Sequence, residues 1–417
     1  MVPEAVRNDA LTLEGLDWPT LLDALAEGAR TPMGNAAVRE GGPYPDPDAI
    51  EEMFDAIDEL RALEASKTNL PVGGVVDARS EARRASRGEV LEPAALIRGA
   101  QALEALHLLE RVIQRNGDGI PTLARWGAPI TDAPEVRATL DEAFDASGAL
   151  SATRFPVLAE LRAQISSLHT EIRSTLDRLV HGDTFADLLQ DTFWTMRENR
   201  YVLPIKAHAK RMDHGIVHGT SGSGRTVFIE PHVVIALNNR LRLAEGELIA
   251  EEYRIRAALS RELGTASPEI DAGVAAAITL DLVCARARLA ERLVARRPIV
   301  REDGVVALRQ ARHPLLVLRG VDVVPNDLDL RPEQPALVIS GPNAGGKTVA
   351  LKTIGLCAQL VRHACFVPAG EGSRVDRFGH LVAIIGDQQT VAEDLSSFSA
   401  HLVLLRAALA SAGPGVL

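Results

Sequence analysis

Ser340-Gly341-Pro342-Asn343-Ala344-Gly345-Gly346-Lys347-Thr348 is the stretch on which the reading of this 417-residue chain turns. Before it stands Pro335-Ala336-Leu337-Val338-Ile339, short, apolar and β-branched; after it, residues 349–356 repeat apolar positions at helical spacing. The glycines therefore lie between a predicted buried strand and a predicted helix, the setting that the G-x-x-x-x-G-K-[ST] pattern requires of a phosphate-binding loop. Gly341 and Gly346 can take backbone angles closed to other residues, so successive N–H groups can turn toward phosphate oxygens, helped by the positive end of the helix. In this reading Lys347 reaches the outer phosphates of ATP and the Thr348 hydroxyl completes the shell of a Mg2+ ion. The candidate nucleotide residues are Gly341, Pro342, Asn343, Ala344, Gly345, Gly346, Lys347, Thr348 and Val349.

Composition sets the frame. The length suggests about three domains, and 46% hydrophobic residues suffice for real cores. Aromatics are only 4% while Ala, Leu and Arg abound, which favours helix and leaves few stacking platforms for bases. A formal charge of -11 means that any contact with nucleic acid uses a local basic patch. Cys284, Cys357 and Cys365 form no CxxC and lie in apolar helical stretches, so they read as buried free thiols of a reducing cytoplasm. No run approaches the ~18 apolar residues of a membrane span.

Outward from the loop, the front of the chain reads as helical. Asp17-Trp18-Pro19 suggests a capped helix start, an amphipathic segment covers about Asp48 to Ala65, and a helix from Pro93 stops at Asn116-Gly117. From Pro156, the positions Leu161, Ile165, Leu168, Ile172, Leu176 and Leu179 make a seam for antiparallel helix packing. The period then breaks. Arg200 to Lys206 and Thr226 to Pro231 have the character of strands, with the turn Gly219 to Gly224 between them. Arg197, Arg200, Lys206, Lys210, Arg211 and Arg225 make this insert the basic part of the chain, either a phosphate-contacting tip or a solvated polar hairpin. Helices resume from Pro231 and from Pro268, so that a lever going out and back carries the tip. After Pro298, residues 305–308, 321–324, 335–339 and 381–387 read as strands alternating with helix, an α/β nucleotide-binding pattern.

Three stretches go beyond a generic phosphate loop. They are Ala311-Arg312-His313-Pro314-Leu315-Leu316, Val324-Pro325-Asn326-Asp327 ahead of the loop, and Ile385-Gly386-Asp387-Gln388-Gln389 leading to Leu395-Ser396-Ser397-Phe398-Ser399-Ala400-His401. Their order and spacing resemble the MutS family of DNA-structure-sensing ATPases, in the branch called MutS-II. Leu70-Pro71-Val72-Gly73-Gly74 and Val227-Phe228-Ile229-Glu230-Pro231 are also similar to that branch, so the resemblance covers essentially the whole chain.

The resemblance implies a mostly α-helical core (1–155), lever helices (156–298) with a small β clamp insert (about 197–231), and a partial α/β P-loop domain of the ABC type (299–417). It implies a homodimer with composite ATP sites, each capped by Ser396 and Ser397 of the other subunit, and it places Asn326 near the adenine. The same serines suit an ordinary helix N-cap. It also implies branched DNA as partner with suppression of homologous recombination, or alternatively ribosomal RNA and the splitting of stalled ribosomes. The acidic pair that ATP hydrolysis needs in this class should follow a strand that Gly413 to Leu417 would begin, and the family's Smr nuclease domain has no counterpart here. The chain is therefore expected to be an N-terminal fragment of a cytoplasmic protein that binds ATP without turning it over.

Overall fold

The computed structural model describes residues 11–209, 214–342 and 346–385, together with 405, 406, 408–410, 412, 413 and 415–417. The described residues are mostly helical, with two small antiparallel sheets. In chain order the helices are α1 (Trp18–Ala26), α2 (Pro32–Glu40), α3 (Pro47–Ala65), α4 (Arg79–Ser86), α5 (Pro93–Asn116), α6 (Pro121–Gly127), α7 (Pro134–Asp141), α8 (Pro156–His181) and α9 (Asp183–Ala186). Strands β1 (Thr195–Arg197), β2 (Arg200–Lys206), β3 (Gly215–Thr220) and β4 (Thr226–Pro231) follow, then α10 (His232–Thr265) and α11 (Ser267–Arg292). The last elements are β5 (Val306–Ala311), α12 (Pro314–Leu318), β6 (Asn326–Leu330), α13 (Lys347–Arg362) and β7 (Arg374–Val375).

Two compact units result. One takes Met1–Arg79, Gln101–Ala133 and Pro268–Leu417; the other takes Ser80–Ala100 and Pro134–Ser267.

In the first unit, α3 is amphipathic because Ile50, Met53, Phe54, Ile57 and Leu60 recur on one face, and all are buried. The Asp46 carboxylate accepts from the Ala49 N–H at 2.8 Å and starts this helix, a standard N-cap. Phe54 meets Phe366 edge to face at 5.1 Å, and Arg297, lying over Phe54, pairs with Glu51, Asp55 and Asp58 along the same helix. The Asp17 carboxylate does not cap α1. Asp17 is left-handed (φ 57°) and its carboxylate goes instead to Lys352, 2.5 Å away.

The small sheet of this unit has the order β6-β5-β7. Residues 321–324 and 335–339, read as strands from their β-branched content, pair with nothing among the described residues. Val338 is 87% exposed. Composition registers a strand's willingness to pair, whereas pairing needs a partner supplied from elsewhere in the chain. Residues 380–382 do find one: His380 bridges Val416 in parallel, and the Val382 N–H donates to the Leu417 carbonyl at 2.9 Å.

Cys284, Cys357 and Cys365 are buried free thiols, as their apolar surroundings suggest, and burial pushes their pKa up to about 12, 12 and 11. Burial also acts on His363, at the end of α13 and 4.6 Å from the Trp18 ring. Desolvation pushes this imidazole down to about 4, against its bond to the Gln359 carbonyl, with Arg286 and Arg362 adding to the depression. An unfolded imidazole titrates near 6.5, so between pH 6.5 and 4 the unfolded chain binds a proton that the folded one refuses. This contribution to stability is intact above pH 6.5 and falls by up to ~3 kcal/mol as pH drops toward 4. Urea midpoints at pH 7.5 and 4.5 check it: His363→Phe should shrink the acid loss by about that amount, and an unchanged loss would reject the assignment.

In the second unit, α8 and α10 pack along their lengths through Leu168, Ile172, Leu176, Leu241 and Ala244, the predicted seam. Between them the chain forms an antiparallel sheet in the order β1-β2-β4-β3, with Leu203 opposite Ile229 and Ile205 opposite Val227. β2 and β4 lie where the sequence places strands; β1 and β3 are additional. Among the described residues, no helix is long and apolar enough to cross a membrane.

Candidate nucleotide site and basic sheet

Gly346 stands at the start of α13 with φ 77° and ψ 12°, a left-handed conformation that a side chain would strain. No side chain caps the helix there. The first-turn N–H groups of an α-helix have no partner within it, and here they open beside a glycine around which a Cβ would meet nothing within 4 Å. That is room and polarity for an anion. The Lys347 ammonium folds back onto the Gly341 carbonyl of the same loop, and Thr348 and Val349 are exposed. Gly341 and Pro342 are likewise exposed, while Asn343, Ala344 and Gly345 lie outside the described residues.

The helix behind the loop is anchored firmly. Leu356, Cys357, Leu360 and Val361 are fully buried. Gly355 lets Leu16 approach so closely that a Cβ in its place would stand 2.5 Å from a leucine methyl. Lys352 holds Asp17 from the same side, so the phosphate-loop helix is fixed to the start of α1 by one ion pair and one steric fit.

His313, from the Ala311 to Leu316 motif, precedes α12, which packs on both α1 and α13. Its ring is buried, with Nδ1 lacking a hydrogen-bond partner; burial and the nearby Lys352 lower its pKa, while Asp17 acts the other way. This motif supplies the wedge between the loop helix and α1. The motif itself was legible in the sequence, but the ion pair behind it joins residues 335 positions apart and leaves no local signal.

Asn326 opens β6 opposite Ala311, is exposed, and donates to the Val324 carbonyl at 3.1 Å. Ser396 and Ser397 lie outside the described residues, as do Asp387, Glu393 and Asp394. Asp376, which from its place downstream of the loop reads in the sequence as a surface or capping acid, is instead fully buried. It accepts from the backbone N–H groups of Asp303 and Val305, both at 3.0 Å, and from Arg374 at 2.7 Å, so it organises a loop and is no surface acid.

The basic residues of the second unit separate into groups. Arg197 is exposed, with its guanidinium 4.4 Å from the Phe228 ring centroid, and Arg225 is exposed beside the Ser221 to Gly224 turn. Arg200 points inward: it reaches Glu230 at 2.8 Å and Asn239 at 2.8 Å. Lys206 donates to the Asp187 carbonyl at 3.1 Å. Lys210 and Arg211 lie outside the described residues. Glu230 is fully buried and also meets Asn238 at 2.8 Å and His218 at 2.7 Å. The sequence shows Glu230 only as one acid among the basic residues of the insert. The missed signal is that β4 is buried at every position from Val227 to Pro231, so an acid within it requires partners.

No family model matches the chain. It is 36% identical, over an alignment 418 positions long, to the endonuclease MutS2 of Anaeromyxobacter sp. (strain Fw109-5), covering 97% of this chain and 52% of that protein. Its identity to the endonuclease MutS2 of Geobacillus kaustophilus is 35%, and to that of Bacillus velezensis 32%, each over 94% of this chain and 50% of the relative. The chain thus spans about half the length of the curated relatives it matches. Because the similarity runs through the helical units, the basic sheet and the phosphate loop alike, the chain belongs to the MutS-II family.

Proposed function

We propose that this chain is the core, lever, clamp and phosphate-loop part of an ATP-dependent nucleic-acid-binding protein that senses branched DNA and restrains homologous recombination. The observation that carries the nucleotide half is the uncapped start of α13, with Gly346 left-handed and Lys347 beside it. Gly341 to Val349 would hold the phosphates of ATP, Asn326 would stand near the adenine, and Thr348 would contribute to a Mg2+ shell. Bound ATP would supply binding energy that differs between its triphosphate and diphosphate forms, the usual source of shape change in such ATPases. In this reading the protein acts as a homodimer, with Ser396 and Ser397 of one subunit closing the site of the other.

The nucleic-acid half rests on the sheet between α8 and α10, where Arg197 and Arg225 face solvent in a chain that is acidic overall. Such groups read phosphates and no base sequence, so competition between a four-way DNA junction, duplex DNA and ribosomes distinguishes the DNA reading from ribosomal RNA. In this reading the endonuclease activity in the relatives' names would belong to the part of their length that this chain does not match.

The direct test is calorimetric titration with Mg-ATP. Lys347→Ala should weaken binding by roughly 10- to 100-fold, the worth of lost charged hydrogen bonds to phosphate. Equal affinities for the two proteins would remove the nucleotide reading.

A further inference from the structure

The first unit carries a second cavity, of about 870 Å³, away from the phosphate loop. One wall is the turn at Leu70 to Gly74, a motif whose similarity to the MutS-II branch the nucleotide site leaves unexplained. The other walls come from α3, α5 and α11 and from the link between α1 and α2.

Five charged groups line it. Arg30 is pinned: its guanidinium donates to the Leu70 carbonyl at 2.9 Å and pairs with Glu64, while its backbone N–H donates to Asp281. Arg61 extends over the Phe366 ring, 5.9 Å from its centroid, and Arg288 is exposed one turn along α11 from the thiol of Cys284. Against Arg30, Arg61 and Arg288 stand only Glu64 and Glu291. Glu64 is taken by Arg30, with Asp281 behind it, so the two remaining lining arginines, Arg61 and Arg288, face only Glu291. Two guanidinium groups facing one carboxylate leave charged donors for an added anion.

The remaining side chains are Asn69 and an apolar set, Leu70, Pro71, Ala105, Ala287 and the face of Leu108, which is 44% exposed. Gly73 and Gly74 add no side chain to the wall, leaving its backbone accessible. A volume in this range, apolar walls and a few convergent polar groups are the ordinary make-up of a small-molecule site. Cys284 takes no part in chemistry there, since burial keeps it a thiol.

We propose that this cavity binds a small amphiphilic monoanion, a flat apolar body bearing one carboxylate or sulfonate-like group, held by Arg61 and Arg288 with its body against Leu108 and Ala287. Arg30, already paired, shapes the wall. This site is separate from the nucleotide site and does not depend on it.

The probe is 8-anilinonaphthalene-1-sulfonate, which has that make-up and reports binding by fluorescence. Saturable binding of one equivalent here is expected to weaken by about tenfold or more when Arg61→Glu and Arg288→Glu are combined. Arg288→Lys should retain most of the affinity, and Arg240→Glu, a single charge reversal in the other unit, should leave it unchanged. A second recess, lined by Leu337, Ile339, Leu351 and Leu381, could take an apolar probe without any arginine. Leu351→Glu serves as its control. The proposal is overturned if the double reversal leaves binding intact, if Arg240→Glu lowers it equally, or if Leu351→Glu alone abolishes it. Both arginines are exposed, so near-ultraviolet circular dichroism of the variants should match that of the parent.

Discussion

Replacing Asp281 with alanine is expected to lower the stability of the first unit by ~3–5 kcal/mol. Asp281 is fully buried on α11, and its two oxygens accept from the Arg30 N–H at 2.7 Å, the Thr31 N–H at 2.9 Å and the Thr31 hydroxyl at 2.6 Å. Thr31 in turn caps α2, its side chain accepting from the Gly34 N–H at 3.0 Å. One carboxylate on a distant helix thus sets the start of another, at the end where the helix dipole favours negative charge. Alanine would leave two backbone donors and a hydroxyl buried and unanswered, and a water in the gap would recover only part of the loss. Asp281→Asn preserves the shape and should cost less, because only the charge and one acceptor position go. Trp18 and Trp126 belong to this unit, so their emission in urea, with Trp194→Phe removing the third tryptophan, reads its unfolding separately. A loss below ~1 kcal/mol would mean that the carboxylate is bystander packing.

That contact also shows what the sequence could and could not reveal. Helices whose signals are local were legible: α3 from its apolar repeat, α5 from Pro93 to Asn116, and α8 from its seam. So was α13 behind the proposed phosphate loop, because its apolar repeat is local. Helix starts that depend on distant acids were not. Asp281 lies 250 positions from Thr31, and Asp17, which resembles a cap for α1, spends its charge on Lys352.

Strands divide in the same way. β2 and β4 announce themselves by buried β-branched and aromatic residues, whereas β1 is short and both β1 and β3 carry polar or glycine residues at edge positions. Residues 335–339 have the composition of a buried strand and no ladder among the described residues, since composition cannot supply a neighbour. For the basic insert, counting charges along the chain put Arg200 with the solvent-facing residues. Its partner Glu230 is 30 positions away and becomes adjacent only when β2 and β4 pair.

Substitutions at Glu230, Arg200, Arg225 and Arg197 separate those roles. Glu230→Ala is expected to destabilise the second unit by ~3–5 kcal/mol, the usual result of removing one member of a buried ion pair. Its loss strands Arg200 and takes a partner from both His218 and the buried Asn238, which itself bonds the backbone of Tyr201 on β2. Glu230→Gln keeps the shape and should cost less. Arg200→Ala should also lower stability, because it leaves the Glu230 carboxylate buried without its cation. Arg225→Ala, at an exposed position, should stay within ~0.5 kcal/mol, and Arg197→Ala should lose no more than ~1 kcal/mol from its stacking on Phe228. If the sheet contacts phosphates as proposed, these two changes together should instead flatten the salt dependence of nucleic-acid binding by about two in the logarithmic slope. Trp194 belongs to this unit and lies 5.3 Å from the Tyr201 ring, so its emission in urea follows the sheet directly. Should Arg200→Ala leave that transition in place while flattening the salt slope by about one, as each exposed arginine should, Arg200 belongs to the nucleic-acid surface, and its bond to Glu230 is incidental.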